Sequence, residues 1–198
     1  INVPSVLTTL VTDELDFPNL SMVGVDDRAA AYTAVDYLIR QGHRKIAVLG
    51  GPVTSYPSLM RRQGAQQAME DAGIVFNDKL YGLSNYDFES AYHAMNSLLA
   101  RRAEFTALFA MSDVIAFGAI RALVSAGLRV PEDVSVIGFD GITMSRYCVP
   151  VMTTIVQPSE QIALQSIELL VRQIEHGSSA QTVTLQPELQ QGESVRAI

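Results

Sequence analysis

The strongest constraint on how this chain can fold is an alternation between two kinds of segment. Short apolar runs at 21–25, 45–49, 106–110 and 134–138 are separated by longer stretches whose apolar residues recur at helical spacing. Within the first such stretch, Ala30, Ala34 and Leu38 mark one face, with Tyr37 on the neighbouring row. Gly42 stands where a helix stop is expected. The other helical stretches are 58–72, 89–101 and 114–126, the last ended by Gly127. Because the strand runs are continuously apolar rather than alternating, both faces of each strand should be buried, which calls for a parallel sheet with helices on each side. The expected fold class is therefore α/β with right-handed crossovers.

The tail breaks this rhythm. Residues 151–156 read as a strand ending at Gln157-Pro158, followed by a helix over 159–175 that stops at His176-Gly177. Two short strands, 182–185 and 188–191, follow with Pro187 between them. They read as a hairpin-like pair, laid down as the chain returns to a lobe it had left.

Bulk properties narrow the classes of function. A chain of 198 residues with 48% hydrophobic and 18% charged residues is ordinary for a globular protein. It is long enough to bury roughly 70% of its unfolded surface without a metal or disulfide. The single cysteine, Cys148, has no internal partner, which fits a reducing, cytoplasmic setting. No apolar run reaches the ~20 residues of a membrane span, and Ile1-Asn2-Val3-Pro4 shows no export-signal pattern. The 14 Lys and Arg against 21 Asp and Glu give a net charge of −7. A surface of that sign repels phosphate backbones, so DNA would be reached only through residues outside this chain.

No reaction centre is legible. His43, His93 and His176 have no metal-ligand spacing with another His or Cys, and no nucleophile elbow, phosphate loop or dinucleotide fingerprint occurs. The acidic pair Asp26-Asp27 could do acid–base work, but capping of the following helix explains it about as well. Neither a catalytic residue, a metal nor a cofactor is expected. What stands out is a set of polar residues after expected strand ends: Asp26, Ser55 with Tyr56, Ser112-Asp113, and Asp140. Ligands of open α/β sheets bind outside those ends. Arg61 is expected to head the helix after the Gly50-Gly51-Pro52 turn, and an Arg opposing an Asp beside an aromatic such as Tyr86 suits a sugar or heterocycle. A surface Arg–Asp ion pair is the bland alternative.

These residues resemble the LacI/GalR family of repressors. The likeness is carried by the stretch 42–52 with its Gly42-His43-Arg44 start, by Arg61-x-x-Gly64, by 127–140 with its Val130-Pro131-Glu132-Asp133-Val134 block, and by 153–158. It covers essentially the whole chain. It implies a type I periplasmic-binding-protein-like fold of two lobes joined by three crossovers, near 23–26, Gln157 and 177–182. The C-terminal lobe would comprise 25–156 and 179–198. The N-terminal lobe would be only partly present, as 1–24 and 157–178, with the helix-turn-helix headpiece absent. The resemblance places ligand contacts on Arg61, Asp140 and Tyr86. Ser112 stands where many sugar-responsive members carry Asn, and Thr9 where some carry Asp. Asp26, Ser55 and Gln157 become rim contacts, although Asp26 could equally be a cap and Gln157 a hinge hydrogen bond. His43 would pack a helix-to-strand turn.

The function implied is a dimerising, ligand-sensing core that binds a small polar effector, such as a sugar, between its lobes and signals allosterically to the headpiece. An exported sugar-binding protein of a transporter shares the fold and is the alternative. An enzyme ranks last.

Overall fold

A computed structural model describes residues 3–198. Contacts divide the chain into two compact units, one holding residues up to Asp26 with Gln157–Glu188, the other Asp27–Val156 with Leu189–Ile198.

The smaller unit is a three-stranded sheet with one long helix. Strands β1 (Ser5–Thr8), β2 (Leu20–Val25) and β8 (Thr182–Leu185) run in the order β1-β2-β8, all parallel. Every residue of β2 is buried, as a central strand requires. Helix α5 (Ser159–His176) packs Ile162 and Leu169 against Val23 and Val25 of that strand. It ends at Gly177, whose φ of 61° supplies the left-handed turn of a helix C-terminus.

The larger unit is a six-stranded sheet of order β4-β3-β5-β6-β7-β9. Its members are β3 (Ile46–Gly50), β4 (Tyr81–Leu83), β5 (Ala107–Ala110), β6 (Ser135–Asp140), β7 (Thr153–Val156) and β9 (Glu188–Gln190). The pairings among β3 to β7 are all parallel, so their C-terminal ends lie along one edge. Helix α1 (Asp27–Arg40) leads into β3, and α2 (Tyr56–Asp71), α3 (Phe88–Ala100) and α4 (Asp113–Ser125) connect β3 to β4, β4 to β5 and β5 to β6. Continuous burial of β3 and β5, with Leu38, Met69, Met95, Leu98 and Leu123 packed into the same core, bears out the two-sided covering read from the sequence. The helices pair α1 with α2 and α3 with α4. At Gly64 a Cβ would lie 2.0 Å from the Arg28 carbonyl oxygen, so only glycine lets α2 approach α1 this closely.

The tail is stitched into the larger unit by polar contacts. Ser194 Oγ donates to the Val136 carbonyl over 2.6 Å and accepts from the Thr153 amide over 2.8 Å. His43, fully buried, bridges Thr106 Oγ1 at 2.9 Å and the Arg196 carbonyl at 3.1 Å. A carbonyl only accepts, so Nε2 carries the proton and Nδ1 accepts from the threonine hydroxyl. His43 thus holds the helix-to-strand turn against the chain's end.

Three expectations change. The last two strands do not form a hairpin, because β8 pairs with β2 while β9 lies beside β7 in the other sheet. Only Gln186 and Pro187 separate them, and the fixed negative φ of proline cannot enter the φ > 0 turns that two-residue hairpins favour. For the same reason 179–188, expected with the C-terminal lobe, belongs by contact to the smaller unit, as do residues 25 and 26. Strands β1 and β4 went unread, being four and three residues long with too few apolar positions to show a period.

Candidate functional site

At the C-terminal edge of the larger sheet, Arg61 is the organising side chain. It lies in the second turn of α2 rather than heading the helix, because α2 begins at Tyr56 under a cap in which Ser55 Oγ accepts from the Ser58 amide. The guanidinium is buried and spoken for on several sides. Nε donates to Asp27 Oδ1 at 2.7 Å, and Nη1 donates to the Met111 carbonyl at the end of β5. Its carbon stands 3.6 Å from the ring centroid of Phe139, a cation–π stack at the end of β6. Nη1 is 3.6 Å from Asp140 Oδ1, and the Asp140 side chain keeps 27% of its surface in solvent against 7% for Arg61. The result is an immobilised cation between a buried carboxylate and a reachable one.

Asp140 reaches that position through an uncommon backbone. Its φ is 108°, followed by 70° at Gly141, and a non-glycine residue there stores roughly 1–3 kcal/mol of strain unless its surroundings compel it. Asp113 supplies the compulsion. Fully buried at the start of α4, it accepts from Thr154 Oγ1 at 2.6 Å and from the Ile142 amide at 2.9 Å, so it ties down the loop just after Asp140. Gly138 makes the room, since a Cβ there would lie 2.2 Å from Asp113 Oδ1. Burial pushes the Asp113 carboxyl up to about 6, against the two hydrogen bonds that favour its charged form.

The remaining expected residues fall into separate groups. Ser112 is buried and caps α4, its Oγ accepting from the Ile115 amide at 3.1 Å. Ser55 is likewise a cap, and both hydroxyls keep a proton to donate. Tyr86 has a left-handed φ of 60°, and its ring rests on Gly51, where a Cβ would lie 2.1 Å from Cε2. Its hydroxyl oxygen is buried and lacks a hydrogen-bond partner among the described residues. Thr9, Asp26 and Gln157 belong to the smaller unit. Thr9, at φ 63°, sits just past β1 with its amide donating to the Val23 carbonyl; Asp26 follows β2, and Gln157 follows β7.

So the structure brings Arg61 and Asp140 together, adds Asp27 and Phe139, which the sequence reading does not single out as ligand contacts, and turns Asp113, one of the strand-end polar residues, into a buried brace. Asp27 was visible only as half of an acidic pair. Its burial, the property that makes it the partner of Arg61, comes from the α1–α2 packing. Among the described residues no three His, Cys, Asp or Glu side chains are grouped to hold a metal. Among the described residues, likewise, no helix is long and apolar enough to cross a membrane.

One guanidinium between two carboxylates is a net acceptor of hydroxyl protons with a single rigid donor fork, a chemistry suited to a neutral polyol. A parallel α/β sheet carrying such a cluster at its C-terminal edge has the form of a ligand-binding domain. Residues 35–195 match the periplasmic binding protein-like domain, and the chain belongs to that family. Within it, the relatives are LacI-family regulators. The chain is 37% identical over 195 residues to the HTH-type transcriptional regulator MalR of Clostridium butyricum, spanning 98% of this chain and 58% of that protein. It is 37% identical over 172 residues to the HTH-type transcriptional repressor CytR of Escherichia coli K12, spanning 87% of this chain and 50% of that protein. A solved complex of the transcriptional regulator CelR with cellobiose superposes with a TM-score of 0.85 at 33% identity, covering 91% of this chain and 56% of that one. The chain thus spans little more than half the length of the relatives it matches.

Proposed function

We propose that this chain is the effector-sensing core of a LacI-type transcriptional repressor and that Arg61 and Asp140 bind a neutral sugar or related polyol. The observation that carries the reading is the fixed geometry of Arg61. A guanidinium locked by Asp27, the Met111 carbonyl and the Phe139 ring loses little side-chain entropy on binding, while Asp140 offers a partly exposed acceptor 3.6 Å away. The cellobiose bound by CelR supports a sugar as the class of effector. Tyr86 stacks on the ligand's apolar face, and Ser112 and Ser55 donate their free hydroxyl protons.

In the whole cytoplasmic protein, effector binding favours one of two conformations and thereby changes operator affinity, the coupling being a free energy shared by both ligands. Operator DNA is contacted by residues outside this chain, and the core acts as a homodimer. An apolar shelf around Ile120, Val124, Leu128, Val130 and Pro150, with Val149 93% exposed, supports that assembly.

The test is a thermal-shift screen of the full-length protein against mono- and disaccharides, nucleosides and sugar phosphates. Binding to the native state at 100 times Kd adds about 2.7 kcal/mol, which reads as a raised Tm. A neutral sugar should give that shift, and Arg61→Ala should abolish it. A shift produced only by charged ligands, or one that survives Arg61→Ala, would assign the effector elsewhere.

A further inference from the structure

At the opposite end of the same strands, before β3, β4 and β5 begin, lies a cavity of about 470 Å³, within the size range of small-molecule sites. Its floor is apolar, with Ile46, Met69 and Leu80 all buried. Its walls hold Arg44, Lys45, Lys79, Arg101 and Arg102 against one acid, Glu104. Five of the chain's 14 basic residues therefore meet at one concavity of a protein whose net charge is −7.

Ordinary structural duties account for only some of these cations. Arg44 donates to the Ala72 carbonyl at the end of α2, Arg101 donates to the Tyr81 carbonyl at 2.8 Å, and Lys45 pairs with Glu104. The side chains of Lys79 and Arg102 have no hydrogen-bond or ion-pair partner among the described residues. Arg102 also sits where arginine is out of place. It follows the C-cap of α3 with φ 54°, the left-handed position that helix ends give to glycine. Backbone comfort would select glycine there, and the chain instead holds a cation over the cavity.

We propose that this cavity is a second ligand site, for a small phosphorylated molecule with an apolar body. Lys79 and Arg102 take the phosphate, and Ile46, Met69 and Leu80 take the body. The site is separate in chemistry from the Arg61 cluster, where two carboxylates face one guanidinium and an anion is disfavoured.

Phenyl phosphate is the probe, titrated calorimetrically into the protein, with phenol and inorganic phosphate as the two halves. Phenyl phosphate should bind saturably and more tightly than either half. Arg102→Gly should weaken it at least fivefold while leaving Tm unchanged or higher, because glycine suits the left-handed backbone, so lost binding cannot be attributed to misfolding. Lys79→Gln should act in the same direction, and the double variant should abolish binding. Equal binding of phenol, or titrations unchanged in the double variant, would overturn the proposal. Saturable binding of a Glu-rich peptide with none of phenyl phosphate would assign the surface to a protein partner and overturn it too.

Discussion

Arg61 Nε and Asp27 Oδ1 are 2.7 Å apart with both side chains almost wholly removed from solvent, whereas Asp140, the second carboxylate beside the same guanidinium, stands at 3.6 Å and is partly exposed. The two aspartates therefore divide the work. Asp27→Ala removes the close, buried partner of a buried guanidinium and leaves only the looser Asp140, so it should cost about 3–5 kcal/mol of stability. Asp140→Ala removes a looser, partly hydrated partner, so it should cost under about 1 kcal/mol of stability while weakening the effector by more than tenfold. Urea unfolding paired with effector titration checks both, and equal stability losses would contradict the division.

Asp113 gives stability a pH dependence of unusual sign. Its carboxyl titrates near 6 in the folded chain and near 3.8 unfolded, so between those values the folded state binds more protons. Its contribution is therefore greatest below pH 4 and falls as pH rises to 6, by about 3 kcal/mol for a shift of this size. Asp113→Asn should flatten that component in denaturant midpoints measured from pH 4 to 7. Undiminished curvature in the variant would place the titration on another group.

His43 acts in the opposite direction. Burial holds its imidazole below the ordinary 6.5, so on acidification the unfolded chain takes up its proton first and stability falls as pH drops through 6.5. His43→Gln should lose that component, and it should also loosen the tail held through the Arg196 carbonyl. Amide exchange at Ile198, whose amide donates to the Gln41 carbonyl, reports the second effect.

Tyr86 separates a ligand contact from a packing role. Its buried hydroxyl makes no hydrogen bond among the described residues, so Tyr86→Phe should leave stability unchanged or slightly raised. If the hydroxyl meets the effector, affinity should fall by about five- to tenfold, the worth of one hydrogen bond of roughly 1 kcal/mol. Gly51→Ala should be harsher, because the new methyl drives into the Tyr86 ring. A cost of about 1–3 kcal/mol is expected from such overpacking.

The apolar shelf around Val149 and Val124 predicts a concentration-dependent dimer of the core. Val149→Glu should shift light-scattering mass towards the monomer at micromolar concentration without changing the circular dichroism spectrum. A mass unchanged by the substitution would move the interface to another face.

What the sequence determined by itself was local and periodic. Apolar runs at 45–49, 106–110 and 134–138, with helical spacing between them, required a two-sided parallel sheet, because nothing else buries those strands on both faces. Parallel strands in turn put Ser55, Ser112 and Asp140 along one edge. Tertiary structure decided which polar groups meet and which are buried. Asp27 rather than Asp26 became the partner of Arg61, because α1 turns that side chain inward against α2. Asp113 became the brace of Asp140 only once β6 and β7 lay side by side, with Gly138 leaving it room and Thr154 supplying its hydrogen bond. The sheet that each tail strand would join was equally hidden, because the unpaired edges of β2 and β7 exist only after the rest of each unit has folded.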